Sequence, residues 1–361
     1  MNFLICIFLI CCAYQFLYQW VLLFSIKKGK AHSDAIQKLT KEAVSVVICA
    51  KDEQENLEKN LPFIFQQVYP DFEVIVVDDG SIIPFTMQHS QLKIIRIPKT
   101  EKVGQGKKYA LQKGVEAASK PWILLTDADC QPVSENWIAE MMKNAVPPYK
   151  IVLGVSPYNI KKGLLNSLIE YETAQTALQY LGFALLGNPY MSVGRNVLYA
   201  AELLKSKKWN PQELAIASGD DDLAMQTLAT AENTNVCFSQ KSFTTSEAKS
   251  TWQEWVTQKK RHYQSGSMYR LRDKILLGSY LSSKLVLYLA FCIMMVLGNV
   301  YSAAVLLLIY VGINTLLQFI LHRFTQLNTR WYSSFITDFL YCIFTVTLGL
   351  FSTTTSSHRW K

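Results

Sequence analysis

Two aspartates follow a short apolar run in the segment PWILLTDADCQP, residues 121–132. The run Trp122–Leu125 predicts a buried strand of a parallel sheet, because short apolar runs bounded by turn residues are typical of such strands. Asp127 and Asp129 would then lie at the carboxyl end of that strand, the edge at which open α/β sheets bind ligands. Two carboxylates so close repel each other unless a cation accompanies them, and Mg²⁺ or Mn²⁺ shared with substrate phosphates would serve. The alternative is that both aspartates merely begin a turn.

Polar residues also follow two earlier apolar runs. Lys51-Asp52-Glu53 comes after the predicted strand Val44–Cys49, and Asp78-Asp79-Gly80-Ser81 ends the predicted strand Phe72–Val77. Their acidic side chains could accept hydrogen bonds from a nucleobase or a ribose. Helix capping by Asp explains either cluster alone. Three polar clusters at one sheet edge are harder to explain as caps.

A glycine-containing turn, Gly104-Gln105-Gly106-Lys107, precedes a predicted helix. It is not a phosphate loop of the Walker type, because Lys107 is followed by Lys108 and no glycine lies five positions before Gly106. A lysine at a helix start can still contact a diphosphate. The alternative is an ordinary solvated lysine.

Strands and helices alternate through residues 44–250. Besides the three strands named above, Leu92–Ile97 predicts a short strand, and Glu53–Gln66 and Gly106–Ala118 have helical spacing. This alternation predicts an α/β domain with a Rossmann-like, mostly parallel sheet.

The chain begins with an apolar stretch, residues 1–26, that is long enough to cross a bilayer. It lacks a basic start and a small-residue cleavage site, so we expect an uncleaved anchor. Lys27, Lys28 and Lys30 follow it, which by the positive-inside rule leaves the linker 27–43 and the next domain in the cytoplasm.

The carboxyl-terminal region is also membrane-like. We expect an amphipathic interfacial helix and basic segment at 251–275, a transmembrane hairpin at 279–321, and a third hydrophobic segment at 332–352 that spans the bilayer or lies in its interface. Lys259 interrupts the apolar face of the amphipathic helix, and we expect its side chain to extend toward the headgroups. The apolar stretch 164–186 contains Glu170 and Glu172, which predicts a helix packed on the soluble domain.

The distribution of charge argues against a nucleic-acid-binding protein, and the cysteine pattern argues against a disulfide-bonded one. Much of the net charge of +8 lies beside the apolar runs, where membrane topology and anionic lipid explain it better than nucleic acid does. We expect only weak, nonspecific nucleic-acid binding through the basic residues 259–274. The eight cysteines show no CxxC pairing, which indicates free thiols in a reducing compartment.

Several motifs occur in the order found in membrane-bound family 2 glycosyltransferases of the GT-A fold. They are VSVVICAKDE, VIVVDDGS, GQGKKYALQKG, LLTDADCQP, SGDDDLAMQ and QKKRH. The chain resembles that family from about Val44 to Tyr263, and its flanking membrane segments fit as well. LLTDADCQP is the most specific of these motifs.

The resemblance implies a role for each strand-end cluster. It implies a uridine pocket lined by Ala50, Glu53 and Asp79. Lys107 would face the donor, Asp127 would contact ribose or diphosphate, and Asp129 would bind the metal together with Asp127.

The segment Ser218–Leu223 resembles the turn that carries the catalytic base in that family. Inverting sugar transfer needs one carboxylate to take the proton from the acceptor hydroxyl. We assign that role to Asp221, with Asp220 as the neighbouring candidate. The alternative is a helix N-cap with an acidic first turn.

Two further motifs resemble parts of the family's substrate site. Gln258, Arg261 and His262 resemble its QxxRW motif, in which Gln and Arg hold the diphosphate and Trp meets the acceptor. His262 replaces that Trp, which argues against stacking on a growing sugar chain. The glycine-rich loop 187–196 resembles the loop that shapes the sugar and acceptor pocket, so we expect Arg195 and Asn196 near the site.

These features together predict an inverting glycosyltransferase of the inner cell membrane with its catalytic domain in the cytoplasm. We expect a nucleotide-sugar donor, UDP-linked, and a lipid or lipid-linked acceptor. One alternative is a subunit of a polysaccharide synthase, although three or four spans make a poor channel. Another is a membrane-anchored protein that binds a nucleotide or nucleotide-sugar without catalysis.

Overall fold

The apolar runs of the soluble region form the centre of one sheet. The structure, a computed structural model, describes residues 2–35, 41–101, 104, 106–327 and 330–352. Gln105 of the predicted glycine turn and residues 36–40 of the predicted linker lie outside these ranges. The strands are β1 (Val44–Ala50), β2 (Phe72–Asp78), β3 (Leu92–Arg96), β4 (Trp122–Asp127), β5 (Gln131–Pro132), β6 (Ile151–Leu153), β7 (Val197–Ala200), β8 (Thr234–Val236) and β9 (Thr244–Thr245).

The helices lie on both sides of this sheet and beyond it. They are α1 (Asn2–Ala35), α2 (Gln54–Phe65), α3 (Lys108–Ala117), α4 (Trp137–Lys143), α5 (Leu164–Leu185), α6 (Ala201–Lys205), α7 (Pro211–Leu214), α8 (Asp222–Leu228), α9 (Trp252–Gly266), α10 (Leu271–Val296), α11 (Val300–Thr325) and α12 (Ser334–Ser352).

Seven strands of the described residues form the main sheet, in the order β3-β2-β1-β4-β7-β6-β8. β1 is parallel to β2 and β4, and β2 is parallel to β3. β7 runs antiparallel to β4 and β6, whereas β8 is parallel to β6. The sheet is therefore mostly parallel, which confirms the predicted α/β class.

The strand register brings the predicted polar clusters to one edge of the sheet. Cys49 of β1 pairs with Asp127 of β4, and Ala50 pairs with Asp78 of β2. Because all three strands are parallel, the residues that follow them emerge side by side.

Helices cover both faces of the sheet because its central strands are buried on both sides. Val47 belongs to one hydrophobic cluster and Ile48, the next residue, to another, as the alternation of side chains along a strand requires. α3 lies close to the first face at Gly114, where a Cβ would be 2.5 Å from Cγ1 of Val47. α2 packs Leu57 and Leu61 on the opposite face.

Among the described residues, three helices are long and apolar enough to cross a membrane: α1, α10 and α11. α5 is not among them and packs against both the sheet cluster and α1, as its two glutamates predict. α12, which occupies the third predicted hydrophobic segment, is not among them either.

Two of these helices are longer than the sequence pattern predicts. α1 continues to Ala35, so residues 27–35 of the predicted linker are helical. α10 begins at Leu271, so Arg272 and Lys274 of the predicted basic segment form its first turn. Lysine and arginine are good helix formers, so a change from apolar to basic residues does not end a helix.

The amphipathic helix α9 packs on another helix of the chain. Trp252 and Trp255 contact the ring of Phe344 on α12, with centroids 5.3 and 5.5 Å apart. Lys259 forms an ion pair with Glu172 of α5, Nζ to Oε2 2.7 Å. The expected extension of Lys259 toward the headgroups is therefore wrong, because a buried carboxylate attracts it inward.

A buried ion pair joins the helices of the carboxyl-terminal region. Lys284 of α10 contacts Asp338 of α12, and both side chains are at most 1% exposed. The hydroxyls of Tyr288 and Tyr310 donate to Asp338 Oδ2 at 2.6 and 2.8 Å. Tyr171 of α5 donates to Asp338 Oδ1, so the same carboxylate also holds the soluble domain.

Candidate active site

A cavity of about 620 Å³ lies at the carboxyl edge of the sheet. Its walls contain the residues that follow β1 and β4, the acidic turn before α8, and one side of α9. Ten of the predicted site residues line it: Glu53, Lys107, Asp127, Asp129, Arg195, Asp220, Asp221, Gln258, Arg261 and His262. Ala50, Asp79 and Asn196 lie behind its wall.

Lys107 connects the two acidic clusters across the cavity. Its Nζ lies 2.7 Å from Asp127 Oδ1 and 3.0 Å from Asp220 Oδ2. Burial by itself would lower the pKa of Lys107, but the two carboxylates outweigh it and hold that pKa well above its ordinary value. Lys107 is therefore a permanent cation in the middle of the site, which the alternative of a solvated lysine does not describe.

The donor set at the end of β4 fits a hard divalent cation. Asp127, Asp129 and Cys130 each offer a ligand atom within 4.8 Å of the others. Burial, and then the neighbouring Asp127, raise the pKa of Asp129, and a cation beside the two carboxylates would offset both effects. Burial raises the pKa of the Cys130 thiol well above its usual range, so the thiol remains protonated and only the two carboxylates suit Mg²⁺ or Mn²⁺.

Asp221 is held by backbone amides at the start of α8. Its Oδ1 accepts from the amide of Asp222 at 2.9 Å, and its Oδ2 accepts from the amide of Gly194 at 2.7 Å. Burial, with the nearby Asp220, raises the pKa of Asp221 to about 6. Each carboxylate oxygen has a second lone pair, so this N-cap can still accept a proton from a ligand in the cavity.

The third aspartate of the acidic turn has another role. Asp222 Oδ2 accepts from the hydroxyl of Tyr269 at 2.6 Å and from that of Ser265 at 3.1 Å. These bonds attach the turn to the end of α9 and the segment after it. The acidic turn is therefore both a helix start and a site element, so the two interpretations of its sequence are compatible.

Lys108 supports the acidic turn from behind, a role that the sequence pattern does not reveal. Its side chain is fully buried, and Nζ donates to the carbonyl of Ile216 at 2.9 Å and to that of Ser218. The sequence GKK contains two adjacent lysines, but it does not indicate that Lys107 faces the cavity while Lys108 faces the loop 216–218. Lys107 is the N-cap residue of α3 and Lys108 is the first residue of that helix.

The two residues predicted from the glycine-rich loop have different positions. Arg195 lines the cavity, where its guanidinium lies 4.3 Å from the ring centroid of Tyr158 and donates to Ser246 Oγ at 2.9 Å. Asn196 is fully buried, accepts from Trp137 Nε1 at 3.0 Å and donates to the carbonyl of Val155 at 2.9 Å. The structure therefore makes Asn196 a support of the loop and not a wall of the pocket.

Gln258, Arg261 and His262 of α9 line the cavity together. His262 is exposed, but the surface it exposes faces the cavity below the molecular surface. Burial, and then Lys259 and Arg261, lower the pKa of His262 well below its ordinary value. The His262 imidazole is therefore neutral, and lysine and arginine side chains carry the positive charge of the site.

The residues predicted for a nucleoside pocket lie where β1 and β2 end. Glu53 lines the cavity, and Ala50 and Asp79 are buried beside it, joined by a bond from the Asp79 amide to the Ala50 carbonyl at 2.8 Å. Asp52 adopts φ +54° and accepts from the amide of Ile82 at 2.7 Å, which ties the two loops together. Asp78 accepts from Arg96 at 2.5 Å and from the amide of Ser81 at 3.0 Å, so this aspartate holds the loop after β2, and among the described residues no helix begins there for it to cap.

The chain is similar to known proteins both in sequence and in structure. The Glycosyl transferase family 2 model matches residues 45–205. Glycosyltransferase AglE of Haloferax volcanii is 33% identical over 104 residues, 26% of this chain, and the match spans 33% of that relative. Mannosyltransferase PcManGT from Pyrobaculum calidifontis, solved in complex with GDP-Man and Mn²⁺, superposes with a TM-score of 0.61 over 96% of this chain and 99% of that one, at 16% identity.

The mostly parallel sheet, with an Asp-Ala-Asp sequence at the end of β4, has the GT-A glycosyltransferase fold. Within that class, residues 45–205 are similar to the Glycosyl transferase family 2 model. The match covers β1 to α6 and therefore includes the Asp-Ala-Asp end of β4.

Proposed function

We propose that the protein is an inverting glycosyltransferase that moves a sugar from a nucleotide-sugar to a lipid or lipid-linked hydroxyl at the cytoplasmic side of the cell membrane. One observation carries the proposal. The carboxylates at the end of β4 and those before α8 face one cavity and share Lys107. A donor with a diphosphate and an acceptor with a hydroxyl can therefore meet between them.

The donor would lie across the ends of β1, β2 and β4. The nucleoside would occupy the region of Glu53, with Ala50 and Asp79 forming the wall behind it. Lys107, Gln258 and Arg261 would face the diphosphate, since cations and amide donors are the usual partners of phosphate oxygens. Donor binding would draw Lys107 away from its carboxylate partners toward the phosphate.

Asp127 and Asp129 would hold a divalent cation, Mg²⁺ or Mn²⁺. When bound, that ion supplies positive charge to the diphosphate leaving group. Lys107 contributes a further positive charge from the protein.

Asp221 would act as the general base. It takes the proton of the acceptor hydroxyl while the hydroxyl oxygen forms a bond to the anomeric carbon and the bond from that carbon to the diphosphate breaks. Attack from the side opposite the leaving group inverts the anomeric centre. Asp220, paired with Lys107, would hold that lysine at the donor side of the cavity.

We infer a UDP-linked donor from the motif resemblance. The structurally similar mannosyltransferase was solved with GDP-Man, so both nucleotides belong in a test. The three apolar helices, and the basic residues Lys27, Lys28 and Lys30 near the end of α1, support membrane attachment with the catalytic domain in the cytoplasm.

The direct test uses the purified full chain in vesicles made from a bacterial lipid extract, with Mn²⁺ and either UDP- or GDP-sugars. We expect release of nucleoside diphosphate together with a labelled lipid. Asp221→Asn should stop the release and retain nucleotide binding, because the amide fills the same space but takes no proton. Asp71→Asn, which changes an exposed aspartate that pairs with Lys120, is the matched control.

The role of the metal needs a measurement that does not depend on turnover. Asp129→Asn should weaken Mn²⁺ binding, followed by electron paramagnetic resonance. Wild-type turnover in both Asp221→Asn and Asp129→Asn would overturn both assignments. Nucleotide binding without any transfer would favour the non-catalytic alternative, and transfer to a growing glycan would favour the synthase alternative.

A further inference from the structure

The cavity continues beyond the carboxylates to the membrane helices. Its wall includes Leu277, Gly278 and Leu281 of α10, and Tyr341 and Thr345 of α12. α10 is one of the three helices with the length and hydropathy of a membrane span, with a mean hydropathy of 1.7 over 18 residues. One continuous space therefore connects the acidic site with the side of an apolar helix.

α10 and α12 contact each other through Lys284 and Asp338, and both line the cavity on the domain side of that contact. Gly278 marks an opening in this wall. It is exposed, and a Cβ built on it would meet no heavy atom within 4 Å. A ligand can therefore pass the helix backbone at Gly278 without displacing a side chain.

An ion pair lies between the two ends of the cavity. Lys259 and Glu172 both line it, and their side chains are only 15% and 9% exposed. On one side Lys259 acts electrostatically on His262, and on the other Glu172 acts on Tyr341 of α12. The pair therefore lies within electrostatic range of residues from both parts of the cavity wall.

We infer that the acceptor is an amphipathic lipid that enters sideways from the bilayer past Gly278, between α10 and α12. Its hydroxyl-bearing headgroup lies at the Lys259–Glu172 pair, within reach of the acidic site. Its hydrocarbon chain lies against Leu277, Leu281 and Tyr341. This inference rests on the proposed function, since it names the acceptor's route into the same site. Apolar surface at one end and a charged pair in the middle match a ligand that is itself apolar at one end and polar at the other.

The test is photolabelling of the full chain in vesicles of phosphatidylethanolamine and phosphatidylglycerol. The probe is a hexadecyl glucoside with a diazirine in its alkyl chain. We expect labelled peptides to contain residues 277–281 of α10 and 341–345 of α12. Gly278→Phe should reduce that labelling by roughly tenfold, which corresponds to about 1.4 kcal/mol of lost binding energy.

Gly312→Phe is the matched control. Gly312 also lies in an apolar helix, α11, and a Cβ there also meets nothing within 4 Å, but it does not line the cavity. We expect wild-type labelling in this variant. Equal labelling of Gly278→Phe and wild type, or labels confined to α11, would overturn the inference.

Labelling requires neither donor nor turnover, so its outcome is separate from that of the proposed function. Correct labelling of a protein that transfers no sugar would support the route and reject the enzyme. Misplaced labels on an active, Asp221-dependent enzyme would reject the route alone. If Gly278→Phe does not fold, the wild-type peptide map still decides, since labels away from α10 and α12 contradict the route.

Discussion

Three consecutive aspartates before α8 differ in what their oxygens contact. Asp220 pairs with Lys107, and Asp222 is bonded to Tyr269 and Ser265. Asp221, between them, accepts only from backbone amides among the contacts described for it. Because neutral backbone amides hold the Asp221 carboxylate in place, it keeps its negative charge. It also keeps a free lone pair that can accept a proton. This favours Asp221 over Asp220 as the base.

The raised pKa of Asp221 predicts a pH dependence of transfer. A general base must be ionised, and half of the Asp221 carboxyls are protonated at pH about 6. We expect kcat to fall roughly tenfold per pH unit below that value and to level off above it. The measurement is kcat against pH from 4.5 to 8 at saturating donor and acceptor. A profile that stays flat down to pH 4.5 would contradict the assignment.

At the scale of single residues, the sequence predicts the candidate catalytic and metal-binding residues better than it predicts the residues that hold them in place. Asp127, Asp129 and Asp221 follow apolar runs or a glycine turn, and that local context is visible in the chain. The partners of Lys108 and Lys259 are a carbonyl pair and a glutamate from distant segments. No local pattern distinguishes such a buried lysine from a solvated one.

The turn that carries Asp220 and Asp221 is an element held at both ends. Lys108 of α3 binds the carbonyls of Ile216 and Ser218 before it, and Asp222 binds the end of α9 after it. Burial lowers the pKa of Lys108, but nearby aspartates oppose that effect. The cation thus stabilises a loop whose carbonyl groups would otherwise lack donors in the interior.

We predict that Lys108→Met weakens catalysis through this turn. Two carbonyls lose a charged donor, which should cost about 1–3 kcal/mol of unfolding free energy. We expect kcat to fall more than donor affinity, because Lys108 contacts the turn and not the nucleotide end of the cavity. The measurements are kcat and nucleotide Kd well below the unfolding temperature.

Lys113→Met is the control for that variant. Lys113 lies on the same helix, and its side chain is 40% exposed and pairs with Glu116. Unchanged kcat is expected there. A loss in Lys108→Met that matches the loss in Lys113→Met would assign the effect to α3 in general.

Elements with a strong local pattern were predictable, and those that depend on partners were not. β1, β2 and β4 are continuous apolar runs, so their existence follows from the chain. β6, β7 and β8 have only three or four residues each and become strands because a neighbour pairs with them. The same reason explains why the site edge was predictable and the opposite half of the sheet was not.

The whole molecule is connected by the ion pair of Lys284 and Asp338. It joins α10 to α12. Tyr171 of α5 and Tyr310 of α11 also donate hydrogen bonds to Asp338, so these two helices belong to the same junction. An ionisable pair inside an apolar region is costly to break, because the remaining charge is left without a partner. The soluble domain and the membrane helices therefore share one polar junction.

We predict strong coupling between the two residues in a double-mutant cycle. Lys284→Met and Asp338→Leu should each lower stability by about 3–5 kcal/mol, since each leaves one buried charge unpaired. The double variant should be more stable than either single variant. Thermal unfolding in one detergent measures all four proteins, and additive losses would show that the pair is not coupled.

The contact between α1 and α5 has a practical consequence for isolating the enzyme. Gly182 lies so close to Leu22 that a Cβ would be 2.9 Å from its side chain, and Ser25 donates to the Gly182 carbonyl at 3.2 Å. A shortened protein that starts at β1 would leave this face of α5 bare, and because α10 and α11 remain it would still need detergent and would be prone to self-association. Expression of the first helix as a separate peptide alongside it should reduce this self-association in detergent, because the missing surface is a partner and not merely a tether.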